Sequence, residues 1–352
     1  MTKDLDILAL DAATILAVKP RQAGAFLGQG TAGKRNFRKL AARWHPDFCA
    51  DPQSAEVFSH LVTLRDRLQS LGSQRADTLL FTLADGHRKP VVVLETTPTD
   101  SGETLVLADG LAQRFDAATA DLAQDMADTI ASFSYADPAM QCEMQRFLPK
   151  VGQRLTLIDG GSLYITPRDA GALPLFMVDT YLARSGRRID AKGVAWIGSG
   201  LMNLAAWLAW SGLMHGSIDA ASVAINPETH DVMLLGGWEY ATPFGARPRA
   251  LPERTLWLAP KLGADGVPAD GTIDPLLIRD LLRQLLGKPA DGDLLAGRVV
   301  PMPIAEWLVF PPAADAFQDY ALWRSALEQA WGRPRFHPMP FTAADVLGDR
   351  VA

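Results

Sequence analysis

The chain has 352 residues and a mass of 38.1 kDa, more than one hydrophobic core comfortably serves, so two or three domains are expected. Hydrophobic residues at 48% and charged residues at 21% are ordinary for a soluble globular protein and exclude wholesale disorder. A net charge of −6 and a pI near 5.5 argue against nucleic acid as the main partner, because phosphate binding needs an excess of Lys and Arg.

Two cysteines, Cys49 and Cys142, cannot by themselves build a disulfide framework or a zinc site, and none of the six histidines pairs with another at ligand spacing. No metal and no cofactor are therefore expected. The N-terminal MTKDLDILAL carries acids where a signal peptide needs basic residues, which makes a cytoplasmic setting the default. The charge balance shifts near residue 72: residues 1–72 hold ten Lys+Arg against seven Asp+Glu, while the remainder is net acidic. LGSQRAD (71–77) has the small, polar character of a linker.

In chain order, the first block is helical. A short helix is predicted over Asp4–Ala17, ended by Pro20, and QAGAFLGQGTAG (22–33) is rich enough in glycine to read as a loop. Phe37, Leu40, Ala41 and Trp44 then fall at i, i+3, i+4 and i+7, an apolar stripe on a helix otherwise occupied by Lys34, Arg35, Arg38, Lys39 and Arg43. Pro46 breaks that helix. Another starts near Pro52, with Val57, Leu61, Leu64, Leu68 and Leu71 as the matching stripe, so the two should zip together antiparallel with the cations outside. From residue 77 the runs TLLFTLA, PVVVLETT and ETLVLA read as an antiparallel sheet. A helix over AATADLAQDMADTIASF, a second helix near Pro138, and the strands RLTLI and SLYIT follow. After about residue 173 the chain is mainly helical, apart from a β pair in SVAINPETHDVMLLG and a Pro/Gly-rich stretch from 242 to 271. Residues 193–218 contain no Asp, Glu, Lys or Arg, which suits either a membrane span or the buried centre of a large domain.

The segment FRKLAARWHPDFCADPQSAEVFSHLVTLRDRL (37–68) resembles a J-domain, the DnaK-binding module of DnaJ-type co-chaperones, and ILAVKP (15–20) resembles that family's exit from its first helix. The glycine-rich stretch 24–33 departs from the family pattern. The physics of the residues agrees with the resemblance: cations without acids from 34 to 43 form a patch that can steer an acidic partner, and Pro46 stiffens the corner that presents His45 and Asp47. The resemblance implies that His45, Pro46 and Asp47, supported by Lys34, Arg35, Arg38, Lys39 and Arg43, dock onto a DnaK-type ATPase. The plain alternative is a helix–helix turn beside a solvated basic face.

Residues 77 to about 340 resemble the protein-kinase-like fold, through LMHGSIDAASVAINPETHDVMLLGGWEYA (213–241), WLAPK (257–261) and TIDPLLIRDLLRQLLGKP (272–289). With His215 as the loop histidine, the catalytic Asp position holds Ser217, the metal-binding Asn position Ser222, and the metal-binding Asp position Gly236. The strand expected to carry the phosphate lysine, ETLVLA, has none, and Glu143 stands at the partner-glutamate position without a lysine to pair with. This points to a pseudokinase-like, non-enzymatic domain. Asp219 and Glu239 are the nearby carboxylates that an atypical kinase or nucleotidyl transferase would need, and both are expected to be solvated. His215 is expected to brace the loop, Asp274 to lie buried beneath it accepting backbone N–H groups, and Trp196, Trp207 and Trp210 to be core.

Together the resemblances imply an α+β chain: an all-helical J-domain-like hairpin module (1–72), a β-rich small lobe (73–172), a helical large lobe (173–340) and a tail (341–352). The expected function is that of a co-chaperone or adaptor that recruits a DnaK-type chaperone and an unidentified client, without nucleic acid or membrane as partner.

Overall fold

Asp11 starts the first helix: its carboxylate accepts the Thr14 N–H at 2.8 Å, and α1 runs only over Ala12–Leu16. In the computed structural model the described residues are 10–18, 26–27, 30–46, 49, 51–72, 76–264, 266–333 and 337–348. The start of the helix expected from Asp4 lies outside them. The chain divides into two compact units between residues 75 and 76.

In the N-terminal unit α2 spans Gly30–Arg43 and α3 spans Ser54–Gly72. The first turn of α2 thus takes in residues that composition assigned to a loop. The amphipathic stripe downstream explains this, since most helical stability comes from packing an apolar face rather than from propensity. Leu40 and Trp44 pack with Val57, Leu61 and Leu64, and with Ile15 and Leu27, in one small core. The side chains of Leu68 and Leu71, assigned to the same stripe, lie outside the described residues.

In the larger unit six strands form an antiparallel sheet of order β1-β2-β3-β4-β6-β5. They are β1 (Asp77–Thr82), β2 (Arg88–Thr99), β3 (Gly102–Leu107), β4 (Gly110–Phe115), β5 (Gln153–Thr156) and β6 (Ser162–Pro167). Strand β4, GLAQRF, was not expected; Ala, Gln and Arg are weak strand formers, and pairing with β3 and β6 on either side imposes its conformation. The sheet curls until its edges meet. Leu83 bridges Leu157, the Ala84 N–H donates to the Thr156 carbonyl (2.9 Å), and the Ile158 N–H donates to the Thr82 carbonyl (3.0 Å). Period-2 alternation then gives each strand two duties. Val91, Val93, Leu105, Leu107, Ala112 and Leu163 fill the inside of the curl. Leu94, Val106, Leu111 and Phe115 face outward onto the main core.

That core continues without a break from the sheet into the helices. Helices α4 (Leu122–Ala131) and α5 (Pro138–Met144) lie between β4 and β5 in sequence. After β7 (Leu173–Pro174) come α6 (Leu175–Arg184) and α7 (Ala191–Trp210), which is the charge-free run. Among the described residues no helix is long and apolar enough to cross a membrane. Helix α7 is instead a packed centre. A Cβ on Gly198 would lie 2.7 Å from a Leu282 methyl and 3.0 Å from the Trp323 ring, so glycine is what lets the neighbouring helices close in. Trp207 is core, but Trp196 is half-buried and Trp210, expected to be core, is 43% exposed, because it sits on the last turn where the helix emerges.

The β pair is observed as β9 (Val223–Asn226) and β10 (Asp231–Leu234), joined by β7, while β8 (Leu213–Met214) pairs with β11 (Thr242–Pro243). The stretch 242–271 contains two short helices, α8 (Glu253–Leu258) and α9 (Lys261–Ala264). Helix α10 (Ile273–Leu285) is buried along most of its length, and α11 (Asp291–Leu295), α12 (Met302–Val309) and α13 (Ala316–Trp331) follow. The Arg279 guanidinium on α10 pairs with both oxygens of Asp319 at 2.6 Å, and both side chains are buried. The C-terminal segment is more than a tail: Phe341, Val346 and Leu347 enter the main core and α14 (Ala343–Leu347) carries a Thr342–Asp345 capping box. Buried Arg168 ties the sheet to the segment after it, donating to the carbonyls of Leu107, Ala108 and Gly110 on one side and of Asp169, Ala170 and Ala172 on the other.

Candidate functional site

Two regions collect the residues singled out by sequence. In the N-terminal unit Arg35, Arg38, Lys39 and Arg43 are exposed on α2. The helix ends at a corner where Pro46 is exposed and His45 half-buried. The His45 ring stands edge-on to Phe58 of α3, centroids 5.1 Å apart, and its carbonyl accepts the Cys49 N–H at 2.9 Å. Arg43 lies over the Trp44 ring at 5.5 Å. Asp47 and the Lys34 side chain lie outside the described residues.

In the larger unit the loop after β8 is built around His215. Its N–H and that of Gly216 donate to the two oxygens of Asp274 at 2.8 and 2.9 Å. Its Nε2–H donates to the Gly236 carbonyl (3.0 Å) and its Nδ1 accepts the Ser217 N–H (3.2 Å), which fixes one neutral tautomer. Burial pulls His215 down to about 3, so it stays neutral across the physiological range. Trp238 stands edge-on to it at 4.6 Å. The loop therefore holds His215 as a brace and Asp274 as the acceptor for its backbone. Burial pushes Asp274 up to about 6, against the two backbone N–H groups that favour the ionised form. Gly237 has φ +80°, and a Cβ there would lie 2.8 Å from the His215 ring and 2.9 Å from Ser217. No other residue fits that position comfortably.

Above this floor lies a cavity of about 450 Å³. Ser217, Ser222 and Gly236 line it; Glu143 does not, and is exposed on α5. Ser222 is turned to local work: its Oγ accepts the Asp219 N–H side of a tight turn at 2.9 Å, and Asp219 Oδ1 accepts the N–H groups of Ala221 and Ser222 at 2.8 Å each. The pocket-facing polar residue of the last strand before the helices is Gln113, on the strand β4 that the sequence reading lacked. No lysine lines the cavity among the described residues.

Asp219 and Glu239, expected to be solvated, are not. Asp219 is half-buried and Glu239 only 6% exposed, held in a single helical turn between Trp238 and Tyr240, both buried. A polar relay fixes Glu239. Thr104 Oγ1–H donates to Gln113 Oε1 (2.7 Å), the Gln113 amide donates to Ser101 Oγ (3.2 Å), and the Ser101 hydroxyl donates to Glu239 Oε1 (3.0 Å). Glu239 Oε2 is buried with no hydrogen-bond partner. Burial, with the repulsion of Asp219, pushes Glu239 up to about 7; burial likewise raises Asp219. Thr104, a polar position in the predicted strand ETLVLA, is the one signal the sequence offers for this relay; Gln113 lies on a strand that was not expected. Among the described residues no group of three His, Cys, Asp or Glu is placed to hold a metal ion.

No protein-family model matches the chain, and no curated protein matches it. In three dimensions it is similar to the crystal structure of the BubR1 kinase domain, at 11% identity and a TM-score of 0.48, over 73% of this chain and 84% of that one. It is also similar to the Cydia pomonella granulovirus kinase PK-1, at 10% identity and a TM-score of 0.39, over 55% of this chain and 69% of that one.

Proposed function

We propose that the chain is a J-domain-type co-chaperone or adaptor: its N-terminal unit recruits a DnaK-type ATPase and stimulates hydrolysis, and its larger unit is a kinase-shaped body that holds a client or partner. The observation that carries the reading is the corner at His45-Pro46, packed on Phe58 and approached by the exposed cations of α2. A stiff corner loses little entropy on docking, and a basic helix beside it raises the encounter rate with an acidic surface. The order of elements in the body, and the His215 loop seated on Asp274, support the kinase-like shape. Ser217, Ser222, Gly236 and Gln113 at the reacting positions support the loss of phosphoryl transfer, which needs a carboxylate, metal ligands and a lysine.

The test is ATP turnover by a purified DnaK-type chaperone with and without the full chain. Stimulation by the wild type that His45→Gln abolishes is the expected result; no stimulation, or equal stimulation by both, rejects it. A second reading, an atypical kinase or nucleotidyl transferase, is favoured by one observation, that Asp219 and Glu239 line the same cavity. It predicts a thermal shift with millimolar Mg-ATP, and its absence ends that reading.

A further inference from the structure

The lining of the cleft is lopsided in charge. Asp100, Asp219, Glu239 and Glu253 face it, against one cation, Arg254. That arginine is already committed: it pairs with Asp280 of α10 through two donors and lies over the Trp257 ring at 4.7 Å. A phosphate entering this cleft meets like charge at each acidic residue and no free counter-charge among the described lining residues.

The second observation is the state of Glu239. A carboxylate this deeply buried is ordinarily paired or fully hydrogen-bonded. Here one oxygen is held by Ser101 through the Thr104–Gln113 relay, and the other, Oε2, has no partner. The relay locks the side chain, so the orphan oxygen does not find a partner by rotating away. What it lacks is a hydrogen-bond donor carrying positive charge. The acids do not converge as three ligands on one point, which suits an organic cation reached from one side better than a bare metal ion. At the mouth Trp257 is 69% exposed, an aromatic face able to hold a cationic or alkyl tail.

We propose that this cleft is a binding site for an organic cation, an ammonium or guanidinium group that donates to Glu239 Oε2 between Asp219 and Asp100. The inference goes beyond the adaptor reading and does not rest on it; failure of chaperone stimulation would leave it standing. The groups facing Glu239 are Asp219 from the loop, Asp100 and Ser101 from the β2–β3 turn, Tyr240 beside it, Arg254 from α8, and neutral His215 behind the loop. Burial raises Glu239 to about 7, so binding strengthens as pH rises through that value and Glu239 ionises.

Calorimetric titration of the full chain with 1,4-diaminobutane at pH 8 tests this, with 1,4-butanediol as the uncharged counterpart. A capped Gly-Lys-Gly peptide asks whether the ammonium can arrive on a protein side chain instead. Saturable binding of either amine is expected, with none for the diol, at least a tenfold loss in Glu239→Gln and a comparable loss at pH 5.5. Equal binding of the diol, no binding of either amine, or unchanged affinity in Glu239→Gln overturns the proposal. Should Glu239→Gln not fold, Glu239→Asp and the exposed-rim Glu253→Gln replace it, and undiminished affinity in both overturns the proposal equally. A Mg-ATP titration that saturates while the amines do not also counts against it.

Discussion

The floor of the cleft and its wall treat buried charge in opposite ways. On the floor, helix α10 presents Asp274 with both oxygens accepting backbone N–H groups, and Arg279 with Asp319 across two short bonds plus the Trp307 carbonyl. On the wall, Glu239 is as deeply buried and has half its bonding capacity unused. Evenly satisfied charge holds a loop in place. Charge left half-satisfied costs stability in the isolated protein and is retained only where something else gains from it.

Three substitutions probe that contrast. The largest effect is expected on the floor: Arg279→Met leaves Asp319 buried and unpaired and should cost about 3–5 kcal/mol in urea unfolding. Loss well under 1 kcal/mol would mean that the pair is dispensable. On the wall the sign reverses. Glu239 is raised to about 7 from an ordinary 4.5, so the folded state holds its proton more tightly than the unfolded one, and stability falls as pH rises between those values. Above pH 7 Glu239→Gln should therefore gain up to about 3 kcal/mol over wild type, shrinking toward zero below pH 4.5. Parallel denaturation curves at pH 4 and pH 8 read this directly, and a variant less stable at pH 8 would place Glu239 with the floor. The smallest effect is the matched exchange on the floor, where burial raises Asp274 to about 6. At pH 8 the roughly 1 kcal/mol lost when Asp274→Asn turns an amide N–H toward a backbone donor is offset by no longer ionising a buried carboxyl, and the net change should stay within about 1 kcal/mol. A clear gain for Glu239→Gln at pH 8 beside little change for Asp274→Asn is the sharpest form of the comparison.

Much of the floor was legible in the sequence through the resemblance of 272–289 to the central helix of the kinase-like fold. That likeness puts Asp274 beneath the loop, and Asp274 bonds there as expected. The hairpin stripes of Leu40, Trp44, Val57, Leu61 and Leu64 likewise announce their own packing. The wall was not legible. Strand β4 has a sequence with little strand preference and exists because β3 and β6 flank it, so Gln113 could not be placed beforehand. Glu239 looked like a solvated acid because its burial depends on Ser101, more than a hundred residues away in the chain. Trp210 failed for the converse reason: an apolar run says which helix is central, not where along it the interior ends.

Arg168 adds a consequence for how the cleft can work. A guanidinium spread over three carbonyls at the β3–β4 hairpin end and three in the β6–β7 connection acts as a rivet. With that seam fastened and one hydrophobic interior running through it, wide jaw-like swinging of the curled sheet against the helices would have to strip several carbonyls of their donor at once. Admission to the cleft should then depend on small local adjustments at its mouth, around Trp257 and Glu253, rather than on gross opening of the body.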